Sequence, residues 1–454
     1  MRFYRNYKSY ALRTARFVKG YPRGVISLSS IECFERFGFY ATQGILVLYA
    51  AASFANGGLG WTNANALRLT GIFSALVYAT PVVGGWIADK YMGRKRAMAL
   101  GNILMFIGYV IMTQRGEFAL IAALTLIAIG TGFLKPTISA MVGEFYDAKA
   151  DASRDSGFAI FYMSINIGGF FGPIVSGFLA QSAGYSFAFA SAAVGMGIAL
   201  INTFISMKGT LKGVGNLEKR TAKNVTEKVK WTKEETKRVW VYIGLCISNI
   251  VWNIFYALPY GLLTLWAETN VNRSIAGWKI PAAWFYAGYS VLIVLFSPVI
   301  ASVYKGFDRK KKDFTLSYKL SSAYFLLAAG CLAMMPFVLQ ITHNRNYVGS
   351  MSYLIVFYIF FAFSELLTIP VLLSAATKFA PIGFSATLVS LNMLISWSIG
   401  GLLGGEVSAL TETYDPTYIF IIMIVACVIF GLGHIFTNCY IERAYKADSS
   451  KSGK

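Results

Sequence analysis

Charge is scarce in this chain. Only 14% of its 454 residues are Asp, Glu, Lys or Arg, while 56% are apolar, and mean hydropathy is positive at +0.55. A water-exposed globule of this size carries more charge, so an ordinary soluble domain is excluded. Histidine is nearly absent, with His343 near a predicted loop and His434 in a predicted helix. No Ser-His, Cys-His or metal-spaced His set can be built from such a pair, which argues against an enzyme, and no cofactor or metal is expected. Cysteine is thinly spread as well: Cys33, Cys246, Cys331, Cys427 and Cys439 fall inside predicted helices without the close pairing of zinc ligands or a redox couple. They read as core packing. The first 24 residues hold seven basic residues but no apolar run ending in a small-residue cleavage site, so no signal peptide is expected to be removed.

What the sequence has is length in its apolar runs. Twelve stretches reach the roughly 20 residues that cross a hydrocarbon core of roughly 30 Å as a helix. They lie at 27 to 52, 66 to 88, 97 to 114, 118 to 143, 157 to 182, 186 to 207, 239 to 267, 281 to 304, 316 to 340, 348 to 378, 382 to 409 and 417 to 441. An all-α membrane protein follows. The net charge of +20 would suit nucleic acid, but sorting the basic residues by loop excludes that partner. With both termini cytoplasmic, 34 of the 41 Lys and Arg fall on the cytoplasmic side. Five (Arg68, Arg115, Arg273, Lys279, Arg345) fall on the other, and only Arg36 and Lys135 remain inside spans. The excess reports topology and attraction to anionic lipid.

The longest polar interruption, Lys208 to Arg238, parts six spans from six. The expected organisation is a cytoplasmic segment 1–24, a six-helix bundle 25–207, a basic linker 208–238, a second bundle 239–441 and a tail 442–454. The second span of each half leads into a short basic turn: Gly84 to Arg96 in the first, Ser297 to Lys311 in the second. Loop topology alone would also collect basic residues in the second copy. Parallel six-helix halves are the major facilitator arrangement, which places a solute site near the bilayer midplane.

Three ionisable side chains share one face of the first span, since Glu32, Glu35, Arg36 and Tyr40 follow the helical repeat of roughly 3.6 residues. A charge at the bilayer centre costs on the order of 3 kcal/mol, so such a triad points to function, a structural ion cluster being the alternative. With two carboxylates beside one guanidinium, one acid can stay ionised while the other takes up and releases a proton. Lys135 lies in the middle of the fourth span just before Pro136, and snorkelling to the interface is the competing reading. The second half has one deeply placed acid, Glu365. Cations Arg36 and Lys135 with the anion Glu365 suit a zwitterion such as a short peptide. Tyr40, Tyr78 and Asn166 could hydrogen-bond its backbone, although tyrosines on apolar helices also serve packing.

The run Glu32-Cys33-Phe34-Glu35-Arg36-Phe37-Gly38-Phe39-Tyr40 resembles the E-x-x-E-R-F-x-x-Y signature of the proton-dependent oligopeptide transporters. The resemblance continues through Phe73 to Tyr78, Gly85 to Arg94, Gly130 to Pro136, Phe161 to Gly168, Ser364 to Leu366 and Lys378 to Pro381, nearly the whole chain. It implies proton coupling at Glu32 and Glu35, carboxylate binding at Arg36 and Lys135, and an amine contact at Glu365. The chain departs from the family where Ala257 replaces a common glutamate, Gln43 a common arginine and Tyr289 a common asparagine. The usual aromatic of the eleventh span falls at Asn392 or Met393. Loss of the arginine and the glutamate together, at Gln43 and Ala257, is coherent, because removing both ends of a buried ion pair can be close to neutral. The extra helical hairpin of many bacterial members is not expected, since 208–238 is too short and polar to hold two spans.

The expected function is proton-coupled import of di- and tripeptides by alternating access, in the cell membrane, as a lipid-embedded monomer. A related machine for another solute, a peptide sensor with little flux and a membrane enzyme are the alternatives.

Overall fold

The computed structural model describes residues 17–18, 21–146, 151–216, 231–309, 314–381 and 384–446. Backbone groups in hydrocarbon must be satisfied within their own segment, and the long apolar runs accordingly form helices. These are α1 (Arg23–Ala51), α2 (Asn63–Ile87), α3 (Arg94–Met112), α4 (Glu117–Glu144), α5 (Asp151–Ser182), α6 (Tyr185–Lys208), α7 (Lys233–Tyr256), α8 (Leu262–Asn270), α9 (Ala283–Arg309), α10 (Leu316–His343), α11 (Ser352–Phe379), α12 (Ser385–Asn392), α13 (Ile399–Thr413), α14 (Pro416–Phe436) and α15 (Asn438–Lys446). Wider π turns at Ala88–Met92 and Met393–Ser398 extend α2 and join α12 to α13. Strand pairing among the described residues is confined to three two-residue ladders.

Eleven of these helical stretches are long and apolar enough to cross a membrane. The remaining expected span is α1, 29 residues long, whose apolar run is diluted by Glu32, Glu35, Arg36 and Gln43. Three expected spans end differently from the sequence reading. The seventh is two helices: α7 starts at Lys233, where Thr232 and Glu235 form a reciprocal capping box, and stops before a turn at Ala257–Gly261. Pro259 lacks an N–H, and its carbonyl accepts from Thr264 Oγ1 at 2.7 Å. The twelfth stops at Phe436, and Thr437 turns the chain into α15. The second basic turn is helical, α9 running on to Arg309, because Gly306 does not take the positive φ (82°) with which Gly93 ends the first copy. Residues 310–313 lie outside the described ones.

The chain forms two compact units, Met1–Trp61 with Leu76–Thr226, and Thr62–Ala75 with Glu227–Lys454. In the first, α1 packs on α5 and α6, and α3 on α4 and α6. Small residues make these approaches possible. A Cβ on Gly168 would sit 2.3 Å from the Cys33 carbonyl, and one on Gly101 would sit 2.6 Å from that of Gly130. Asn102 Nδ2 donates to Thr203 Oγ1 at 2.6 Å across α3 and α6. At the basic turn, Arg94 donates to Asp89 at 2.9 Å and to Glu144 at 3.0 Å, and Glu144 accepts from the Gly215 N–H at 2.8 Å.

In the second unit, α10 packs on α11 and α14, α9 on α11, and α7 on α13. Residues 62–75 of α2 belong here. Gly71 meets Gly405 backbone to backbone, so that a Cβ on either would lie 2.7 Å from the other's Cα. Arg68 pairs with Glu406 at 3.0 Å, and Tyr260 donates to Ser74 at 3.1 Å. Both units turn large apolar side chains outward, such as Phe118 at 87% and Ile422 at 66% exposed, while burying charge. That inversion suits hydrocarbon as solvent.

Candidate functional site

The charged face of α1 lies inside the first unit. Glu32, Glu35 and Arg36 are all buried, held there by glycines that bring α5 and α6 against α1. A Cβ on Gly168 would lie 2.9 Å from that of Arg36, and one on Gly172 2.5 Å from the Phe37 carbonyl. The guanidinium is shared unequally. Arg36 grips Glu35 with two parallel hydrogen bonds, Nε to Oε2 and Nη2 to Oε1, the latter at 2.6 Å, a geometry that favours both charges. Its Nε is 3.5 Å from Glu32 Oε1, and Glu32 Oε2 has no hydrogen-bond partner among the described residues. The two acids therefore hold different positions: Glu35 is the resident counterion, and Glu32 is the acid with an unsatisfied oxygen. The Arg36 guanidinium also stands 4.8 Å above the Phe39 ring.

Lys135 reaches the same cluster from α4 and interacts electrostatically with Arg36, Glu35 and Glu32. Its Nζ lies 4.5 Å over the ring of Tyr78 on α2, which partly offsets the cost of a buried ammonium. The glycines of Gly130-Thr131-Gly132 set this helix: Gly130 meets α3, while a Cβ on Gly132 would lie 2.8 Å from that of Thr80 on α2. Thr80 Oγ1 donates to the Ala128 carbonyl at 2.8 Å. Lys135 is thus part of the charged cluster, not a residue snorkelling away from it. Tyr40 stands one turn beyond Arg36 and interacts with it electrostatically.

Asn166 makes no hydrogen bond to the cluster among the described residues. It is half-buried on α5 and spends its Nδ2 on the Tyr162 carbonyl at 2.9 Å. Conversely, Tyr109 of α3 was not legible in the sequence, where it looks like any tyrosine on an apolar helix. It is buried, interacts electrostatically with Glu35 and Arg36, and its hydroxyl has no hydrogen-bond partner among the described residues.

In the second unit, Glu365 sits half-buried on α11, and its Oε2 has no hydrogen-bond partner among the described residues. The hydroxyls that could have made it a packing carboxylate are engaged elsewhere. Ser364 donates to Ala323 O at 2.9 Å and accepts from Trp252 Nε1 at 2.8 Å, and Thr368 donates to Ser364 O at 2.9 Å. One turn before Glu365, Phe361 stacks on Trp252 with centroids 5.6 Å apart and lies 5.1 Å from Tyr289. Trp397, in the π turn, packs edge-on against Tyr256 at 4.9 Å. Ala257 packs against Gly404, where an added Cβ would lie 2.5 Å from that of Ala257. Gln43 and Tyr289 are buried, each with an oxygen lacking a partner among the described residues.

Comparison with known proteins agrees with this architecture. The family model described as Major Facilitator Superfamily matches residues 28–405. A di-/tripeptide transporter of Lactococcus lactis subsp. cremoris is 29% identical, with 92% of this chain and 96% of the relative covered. Dipeptide and tripeptide permease A of Cronobacter turicensis is 30% identical over 76% of each. A crystal structure of a peptide transporter, POT, in complex with sulfate superposes with a TM-score of 0.86 at 28% identity, covering 97% of this chain and 99% of that one.

Proposed function

Since the chain belongs to the major facilitator superfamily and, within it, to the proton-dependent oligopeptide transporters, we propose that it is a symporter that moves di- and tripeptides with protons by alternating access. It is an integral membrane transporter and not an enzyme. The observation that carries the reading is the unequal sharing of Arg36, which leaves Glu32 Oε2 buried without a partner beside a fully paired Glu35. A buried carboxylate of this kind is held in place and able to take up a proton.

The roles follow from the chemistry. Glu32 and Glu35 couple protons. A proton taken up at Glu32 and passed to Glu35 releases the Arg36 guanidinium, which with Lys135 then accepts the peptide carboxylate. Glu365 pairs with the peptide amine. Tyr40, Tyr78 and, after rotation away from the Tyr162 carbonyl, Asn166 hydrogen-bond the peptide backbone. The functional halves are 25–207 and 239–441. The distribution of Lys and Arg supports a cytoplasmic-membrane location with both termini cytoplasmic, and the transporter acts as a lipid-embedded monomer in this reading.

The aromatic surroundings of Glu365, with Ala257 and Tyr289 in place of polar groups, favour one second reading: the same machine for a different zwitterion. One assay separates the two. In proteoliposomes, uptake of a labelled dipeptide should rise with an inward acid gradient and collapse with a protonophore, and unlabelled di- and tripeptides should compete. Uptake driven by the gradient but blocked only by non-peptide zwitterions would transfer the proposal to the second reading. No saturable uptake of either kind would overturn the transport mechanism.

A further inference from the structure

An open groove of about 480 Å³ runs between α7 and α14 in the second unit, at the end where the basic linker enters α7. The two helices touch only sparsely. Gly244 and Gly433 line the groove, and a Cβ on either would meet nothing within 4 Å. Glycines on membrane helices commonly let backbones close up, as Gly71 and Gly405 do, whereas these two leave room. The walls are apolar, including Leu245, Ile429 and Phe430.

The deep end makes no polar demand on an occupant. Ser248 Oγ donates to the Leu245 carbonyl at 2.8 Å and lies 3.4 Å from His434 Nε2, while the His434 ring stacks on Tyr324 at 5.6 Å. The mouth is different. Trp240 and Tyr440 are 66% and 54% exposed, as aromatic residues are at a water–lipid boundary. Lys237 Nζ stands 5.2 Å over the Tyr440 ring, and Arg443 is exposed on the same short helix. That helix is tied down at the mouth, Asn438 Oδ1 accepting from Thr315 at 2.7 Å and Glu442 from the Leu316 N–H at 3.1 Å. From Trp240 to Ser248 α7 rises about 12 Å, so the space is elongated, apolar along its length and basic at one end.

We propose that this groove binds one acyl chain of a membrane phospholipid whose anionic headgroup is held by Lys237 and Arg443. The site is independent of the solute pocket and of which solute is carried. To test it, the protein is reconstituted into vesicles of phosphatidylethanolamine and phosphatidylglycerol containing a trace of phosphatidylglycerol with a photoactivatable acyl chain. Wild-type labelling should concentrate in 240–248 and 429–441, well above the lipid-facing control stretch 198–205, where Ile201 and Ile205 are 63% and 66% exposed. Gly244→Leu with Gly433→Leu should remove that excess. Lys237→Gln with Arg443→Gln should lower the preference for the phosphatidylglycerol probe over its phosphatidylcholine analogue by about fivefold per charge. Melting curves in detergent exclude variants that do not fold, and the wild-type labelling map depends on no variant. Groove labelling no denser than the control stretch, or equal wild-type labelling by both probes, overturns the proposal, as does cross-linking of the groove to a second copy in place of lipid.

Discussion

Glu32 and Glu35 are the same side chain one helical turn apart, yet only Glu35 is gripped by both arms of Arg36. Removing one partner of a buried pair costs about 3–5 kcal/mol, because the other charge is left behind. Glu35→Gln should therefore melt well below wild type in detergent and lose gradient-driven uptake. It should keep measurable peptide counterflow, which needs reorientation with solute but no net proton movement. Glu32→Gln removes a carboxylate with an already unsatisfied oxygen and should cost less, about 1 kcal/mol, while still impairing coupling. Equal melting of the two variants, or normal gradient-driven uptake by Glu35→Gln, would show that the pairing has been assigned to the wrong acid. The triad itself was legible in the sequence because its charges lie within two turns of one helix. Which acid Arg36 chooses depends on packing against α5, where a Cβ on Gly168, far away along the chain, would lie 2.9 Å from that of Arg36.

At the scale of elements, two contacts were hidden from the sequence. Arg273, a loop cation by its position, is buried and donates to the Ile280 carbonyl at 2.7 Å while pairing with Glu268 at 2.7 Å. Glu268 is half-exposed and can be solvated alone, so Arg273→Ala should cost about 1–3 kcal/mol through the stranded carbonyl, not the larger penalty of an abandoned buried charge. Differential melting with Arg273→Lys separates the lost fork from the lost charge. Gly405 admits no side chain against Gly71, and Gly405→Leu should destabilise by about 1–3 kcal/mol of overpacking, whereas Gly433→Leu, facing open space, should leave the melting temperature near wild type. At the start of α14, burial works against the charge of Asp415, but hydrogen bonds from the Thr417 N–H and the Thr417 and Thr342 hydroxyls hold its carboxyl below the ordinary 3.8. Its contribution is complete above that value and fades as the pH falls through the lowered folded one. Acid unfolding curves of Asp415→Asn should lack that segment.

For the whole molecule, the prediction concerns the length and polarity of the ligand. If Arg36 and Lys135 take the carboxylate, a C-terminally amidated dipeptide should compete about 10- to 150-fold more weakly than the free acid, the range of one charge-assisted hydrogen bond. If Glu365 takes the amine, wild type should also discriminate against an N-acetylated dipeptide, and Glu365→Gln should lose affinity for the free amine together with most of that discrimination. A Glu365→Gln protein that transports dipeptides normally and still rejects the acetylated one would place the amine elsewhere.

The sequence by itself determined that the chain lives in lipid, roughly where its helices lie and which ionisable side chains fall inside the spans, because hydropathy and the cost of a charge in hydrocarbon are local properties. It also carried the signature from Glu32 to Tyr40, which lies on a single helix. Tertiary structure decided what depends on distances between residues remote in sequence. It set the turn that follows Tyr256 against Gly404, where an added Cβ would lie 2.5 Å from that of Ala257. It brought Tyr109 to the Glu35–Arg36 pair and left Asn166 bonded to its own helix. It also grouped Thr62–Ala75 with the second unit, because the close approach of Gly71 to Gly405 is made by two backbones, and no periodicity along either helix records it.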